Sequence, residues 1–143
     1  MISPAPANIL VATPSDDLML RLQIALRSIS RPAALYHVAE EEKLFAFLRK
    51  APGFETALRP DMILLDAPLL PALDRLKSGN PYSPIPVIVI ADHMDHALAR
   101  DCHARFANAA LGIPKDTAGL RAIAGAIDAF WFRTARLPPN VDA

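Results

Sequence analysis

Residue types capable of chemistry concentrate in two places in these 143 residues. The first is Asp66, which closes the apolar run Met62-Ile-Leu-Leu-Asp66. The second runs from Asp92, His93, Asp95 and His96 to Cys102 and His103. That stretch has the composition of a metal site but not the spacing. His96 and His103 sit seven apart, two turns along one helix face, and nothing matches the CxxC or HExxH patterns of tetrahedral zinc. It reads as a polar loop followed by a solvated helix face, with no metal. His37 reads as a partly exposed strand residue. None of the five glycines forms a GxGxxG turn or a P-loop, which disfavours nucleotide binding through a glycine-rich turn. No Ser or Cys stands in a nucleophile motif, so the expectation is not an enzyme.

The elements that must position Asp66 follow from hydrophobic period. Asn8 to Ala12 is a short apolar strand, after which Ser15 is a natural N-cap. Asp16 and Asp17 then fall in the first helical turn, where the helix dipole favours negative charge. Leu18, Leu22, Ala25, Leu26 and Ile29 make one apolar stripe. Strands are predicted at 34–39, 62–66, 86–90 and 109–113. Helices are predicted from Glu40, over 71–78, over 95–106, and from a cap at Asp116 or Thr117. The nearly all-apolar runs ending at Asp66 and Ile90 suggest strands covered on both faces. Five strands alternating with five helices give an α/β, doubly wound parallel sheet built from right-handed crossovers. Sites in such sheets lie beyond the carboxyl ends of the strands. That directs attention to Ala12–Thr13, Asp66, Ala91 and Ile113–Pro114.

Composition narrows the partners. Fifteen basic and fifteen acidic residues cancel, leaving no electrostatic footprint for nucleic acid or an anionic membrane. Apolar residues make up 52% and charged residues 21%, an ordinary globular balance. The single cysteine, Cys102, suits a reducing compartment. The opening residues lack a basic n-region, and no run approaches the roughly 20 apolar residues of a membrane span. A cytoplasmic location is expected. The chain divides into a lead, 1–7, one domain, 8–137, and a tail, 138–143.

Over 8–137 the chain resembles the CheY-like receiver domain of bacterial response regulators. Arg59-Pro-Asp-Met-Ile-Leu-Leu-Asp66 resembles the third strand with its phosphoacceptor, and Ile85 to Ile90 the fourth strand. Ala107 to Pro114 is similar to the fifth strand and its following proline. The ending Phe130-Trp131 with Arg136-Leu-Pro-Pro139 resembles receivers that partner phytochrome-type histidine kinases. The resemblance implies a flavodoxin-like (βα)5 fold with strand order 2-1-3-4-5. It also implies a phosphoacceptor at Asp66 and a histidine kinase or other signalling protein as partner.

The departures are equally specific. The family's acid pair after strand one reads Ala12 and Thr13, and its strand-four hydroxyl reads Ala91. Its lysine reads Ile113, and its strand-five aromatic reads Ala110. Phosphoryl transfer depends on positioning and charge neutralisation. Each lost electrostatic group is expected to cost about 2–4 kcal/mol of catalysis. Mg²⁺ binding is expected to be weak or absent, with no other cofactor. Among possible substitutes, Asp16 and Asp17 read as capping residues, Lys115 as solvated, and Asp92, by strand alternation, as pointing away. Asp66 is then either a relic bonded to local backbone or a slow, partner-driven phosphoacceptor. Its apolar neighbours are expected to raise its pKa.

Phe130, Trp131 and Phe132 span roughly 200° of the last helix, more than one sheet face can bury. A homodimer through that end is the expectation. The overall reading is a degenerate receiver that acts by protein interaction, independently of phosphorylation. The alternatives are a working phosphoacceptor and a flavodoxin-like ligand or metal binder.

Overall fold

The structure, a computed structural model, describes residues 7–27 and 33–128. Its order is β1 (Ala7–Ala12), α1 (Asp16–Leu26), β2 (Ala33–Val38), α2 (Glu41–Leu48), β3 (Met62–Asp66), α3 (Ala72–Leu76), β4 (Val87–Ala91), α4 (His96–Ala104), β5 (Ala109–Gly112) and α5 (Thr117–Ile127). The strands are parallel in the order β2-β1-β3-β4-β5, the flavodoxin-like arrangement expected from the sequence. Phe130, Trp131 and Phe132 lie outside the described residues.

Strand alternation divides the core in two. Ile9, Val11, Leu64, Ile88 and Ile90 pack with Leu18, Leu22 and Leu26 of α1 and Leu120, Ala124 and Ile127 of α5. Leu10, Ala12, Ile63, Leu65, Val87 and Val89 face α2, α3 and Cys102 of α4. Each fully buried Leu or Ile contributes roughly 1.5–3 kcal/mol of transfer free energy. β1, β3 and β4 are central and covered on both sides, which explains their apolar runs.

Caps set several boundaries. Ser15, Asp95 and Asp116 accept from the amides of Leu18, Leu98 and Gly119. The third helix, Ala72–Leu76, is shorter than the expected 71–78, and a 3-10 turn, Ala67–Leu69, with Pro68 in its first positions, precedes it after Asp66. Both α2 and α4 end in Schellman motifs. After α4, Phe106 donates to His103 O and Ala107 to Cys102 O; after α2, Lys50 donates to Phe47 O and Ala51 to Ala46 O. The left-handed positions hold Lys50 (φ 55) and Phe106 (φ 69), where glycine is usual.

Two clamps hold the loops. Lys77 Nζ donates to Ser83 O, Ile85 O and Asn108 Oδ1, tying the end of α3 to the entries of β4 and β5. Half-burial lowers the Lys77 pKa, and three acceptors satisfy its ammonium. At the other edge, Gly119 lies against Pro114: a Cβ there would meet the proline ring at 2.6 and 2.9 Å. The β5–α5 segment is packed directly onto the first turn of its helix.

Candidate functional site

The carboxyl ends of β1, β3, β4 and β5 are in register, with Ala12 beside Leu65, Asp66 beside Ile90, and Ala91 beside Gly112. Asp66 therefore stands at the centre of the edge where doubly wound sheets place their sites. Its carboxylate opens into a cleft of about 390 Å³ lined by Ser15, Asp17, Leu18, Arg21, Asp66, Asp92 and Lys115.

Thr13 is fully buried and bonds directly to Asp66. Its Oγ1 donates to Asp66 Oδ2 at 2.7 Å and accepts from the Ser15 amide at 3.0 Å. Because the amide supplies the only hydrogen in that second bond, the hydroxyl hydrogen is directed at Asp66. The Thr13 main chain is held too: its N–H donates to Val38 O, and its carbonyl accepts from His37 Nε2 at 2.8 Å. A carbonyl only accepts, so Nε2 of His37 carries a hydrogen. Thr13 thus presents a fixed donor to Asp66, a role that its reading as a lost residue missed.

Asp66 is half-buried. Desolvation pushes its pKa up, the Thr13 hydroxyl and the Ala67 amide pull it down, and the charge of Asp92 raises it. The net direction is upward. A raised carboxyl pKa means that the folded state binds the proton more tightly than the unfolded chain. The stabilising contribution is complete below the unfolded value and is lost as pH rises through the folded value. Asp66→Asn keeps an acceptor for Thr13 and removes the desolvated charge. Its Tm is expected to exceed that of the parent by a few degrees at pH 7, the gap closing as pH falls below about 4. Scanning calorimetry across that range checks this; a variant less stable at pH 7 would show that the ionised carboxylate holds the fold together.

The structure corrects several placements. Asp92 does not point away: it lines the cleft and acts electrostatically on Asp66. β4 ends at Ala91, so alternation no longer governs the next residue. Lys115 is exposed but borders the cleft beyond Pro114, and Asp17 borders it from the first turn of α1, beside its helix-terminal placement. Ile113 does not line the cleft. It is buried with Leu120 and Ala124 on the α1/α5 side, so the cleft is more polar than the substitutions implied. Ala91 is buried, and Ala110 is half-buried against the opposite core cluster.

Arg21 escaped the sequence reading altogether. Its guanidinium NH2 donates to Pro114 O at 2.7 Å and Lys115 O at 2.8 Å, bridging α1 to the β5–α5 segment at the cleft wall. The only available signal was a cation on the helix that starts beside the site.

The histidine-rich stretch does not converge. Cys102 is buried, His93, His96 and His103 are exposed, and Asp95 caps α4. Among the described residues, no group of three His, Cys, Asp or Glu is placed to hold a metal ion. Among them too, no helix is long and apolar enough to cross a membrane.

No protein-family model and no curated protein matches the chain. Solved structures do. The phosphorylated cyanobacterial phytochrome response regulator RcpA is 26% identical, with a TM-score of 0.85, covering 94% of this chain and 100% of its own. A response regulator in red light signaling of R. palustris has a TM-score of 0.87 at 22% identity, covering 93% and 99%. The Mn2+-bound form of response regulator Rcp1 has a TM-score of 0.83 at 24% identity, covering 94% and 100%.

Proposed function

We propose that this CheY-like receiver domain is a response regulator of a two-component pathway that works by protein interaction and without phosphorylation. One observation carries the reading: the buried Thr13 hydroxyl caps Asp66 Oδ2 at 2.7 Å, where a second acid would serve a metal. The donor set fits Mg²⁺ poorly. Ala12 offers no side-chain ligand atom, Thr13 donates toward the oxygen a cation needs, and a hard cation prefers several oxygens, charged ones among them. We assign no cofactor and no catalysis of its own.

The interaction surface is fixed rather than switched. Arg21 holds the carbonyls of Pro114 and Lys115, Pro114 packs on Gly119, and Ile113 is locked in the core. A segment held from two sides has little freedom to report on Asp66. The partner is a histidine kinase or another signalling protein, and likeness to phytochrome response regulators supports that class. A cytoplasmic homodimer joined through Phe130, Trp131 and Phe132 is part of the same proposal.

The test is incubation with acetyl phosphate and Mg²⁺ followed by intact-mass measurement, with Asp66→Asn as control. No adduct is expected. An adduct that vanishes in the control overturns the reading and favours a second one, in which Asp66 is a working phosphoacceptor. The convergence of Asp17, Arg21, Asp92 and Lys115 on its cleft favours that alternative. In it the two cations offset phosphate charge, and Arg21→Ala and Lys115→Ala slow adduct formation.

A further inference from the structure

The open edge of β2 carries an arrangement that the Asp66 site does not use. The Thr13 N–H donates to Val38 O, which fixes Val38 with its polar main-chain groups turned toward β1. Along a strand these groups alternate sides, so the N–H and C=O of His37 point outward from the sheet. β2 is an outer strand, and among the described residues nothing bonds either group. The imidazole of His37 is engaged on the other side, with Nε2 on Thr13 O at 2.8 Å. An unpaired donor beside an unpaired acceptor remains at the edge.

Next to that pair lies a cleft of about 300 Å³ bordered by Tyr36, His37, Phe47, Gly53, Phe54 and Thr56. The rings of Tyr36 and Phe47 meet at 5.7 Å between centroids, and those of Phe47 and Phe54 at 5.6 Å. Three rings, from β2, α2 and the loop after α2, therefore form one connected aromatic wall. Turns hold that loop: Phe54 N–H donates to Ala51 O, and Ala57 N–H to Phe54 O. Gly53, at φ 96, leaves space beside it, since a Cβ there would meet nothing within 4 Å. An apolar wall with a few polar groups to fix orientation is the composition of a small-molecule site. The cleft touches only Tyr36 and His37 of the six residues of β2, which suits a compact ring better than an added strand.

We infer that this cleft binds a flat heteroaromatic lactam of one or two fused rings, its N–H and C=O paired with the outward C=O and N–H of His37. A lactam edge sets a donor next to an acceptor, the complement of one extended residue. The aromatic wall supplies the apolar contact for the ring. This site is separate from the Asp66 cleft and goes beyond the interaction-module reading, because it gives the domain a small-molecule input.

The test adds quinazolin-4-one to the full chain and follows amide shifts by NMR. Shifts are expected at residues 36–38 and 53–57. The analogue 3-methylquinazolin-4-one keeps the rings and loses the donor, and should bind about tenfold more weakly. His37→Pro removes the outward N–H, a change that an outer strand tolerates, and should weaken binding about tenfold. His37→Ala keeps that N–H and should bind within about twofold of the parent. Thr56→Trp, at an exposed position on the rim, should fill the cleft and abolish the shifts. Equal binding of the two quinazolinones would overturn the inference, and on the parent chain it decides even if His37→Pro fails to fold. So would shifts centred on Asp66, no shifts at millimolar probe, or a dimer paired through β2 that the probe does not dissolve. A phosphate adduct on Asp66 would sink the phosphorylation-independent reading and leave these results intact.

Discussion

Thr13→Asp is expected to lower stability by about 3 kcal/mol at neutral pH in the absence of divalent ions, a Tm fall of about 10 °C. The substitution nearly conserves volume, so packing changes little. It replaces the donor to Asp66 Oδ2, in a fully buried position, with a second carboxylate. Two adjacent carboxylates cannot both ionise cheaply, and the pair retains a proton. The deficit should shrink as pH falls toward about 4, where one proton can be shared. Millimolar Mg²⁺ should restore most of the loss at pH 7, because a cation replaces that proton and Thr13→Asp supplies the missing charged oxygen. Thermal melts with and without Mg²⁺, at two pH values, measure both effects. A variant as stable as its parent would show that Thr13 is not the plug of this site.

The second large effect reverses a familiar preference. Gly119→Ala is expected to cost about 2 kcal/mol, although alanine is the better helix former. The new Cβ would lie 2.6 Å from Pro114 Cβ and 2.9 Å from its Cγ, against a rigid ring. The ring has little room to retreat, because Arg21 holds the carbonyls of Pro114 and Lys115. Gly125→Ala, in open space on the same helix, should instead stabilise by about 0.5–1 kcal/mol. Chemical denaturation of the pair checks the contrast. Two stabilised variants would show that the β5–α5 segment gives way, which would undercut the fixed surface.

The sheet was legible in the sequence because its signals are local and repeated. Runs such as Val87–Ala91 and stripes such as Leu18, Leu22 and Leu26 each carry their own period. Asp66 was legible for the same reason, as the polar end of a buried strand. What surrounds it was not. Asp92 lies one residue past β4, where alternation stops applying. Lys115 follows a proline that redirects the chain. Arg21 and Lys115 are brought together by α1 packing near α5 across 94 residues of sequence, a relation no window contains. Thr13 was noticed only for what it is not; its hydroxyl acquires a function from the Ser15 amide and Asp66 together. The Phe106 strain depends on how α4 ends, which residue type alone argued against.

The attachment of α4 has a kinetic consequence. Cys102 is the one residue of that helix buried below solvent reach, whereas α1 buries five. A helix tethered by so few apolar contacts should detach in excursions smaller than global unfolding. Burial and the charge of Asp101 raise the Cys102 pKa, so the thiol is nearly unreactive while the helix is seated. The single thiol of the chain is therefore a native clock: its alkylation rate counts how often α4 lifts from the sheet.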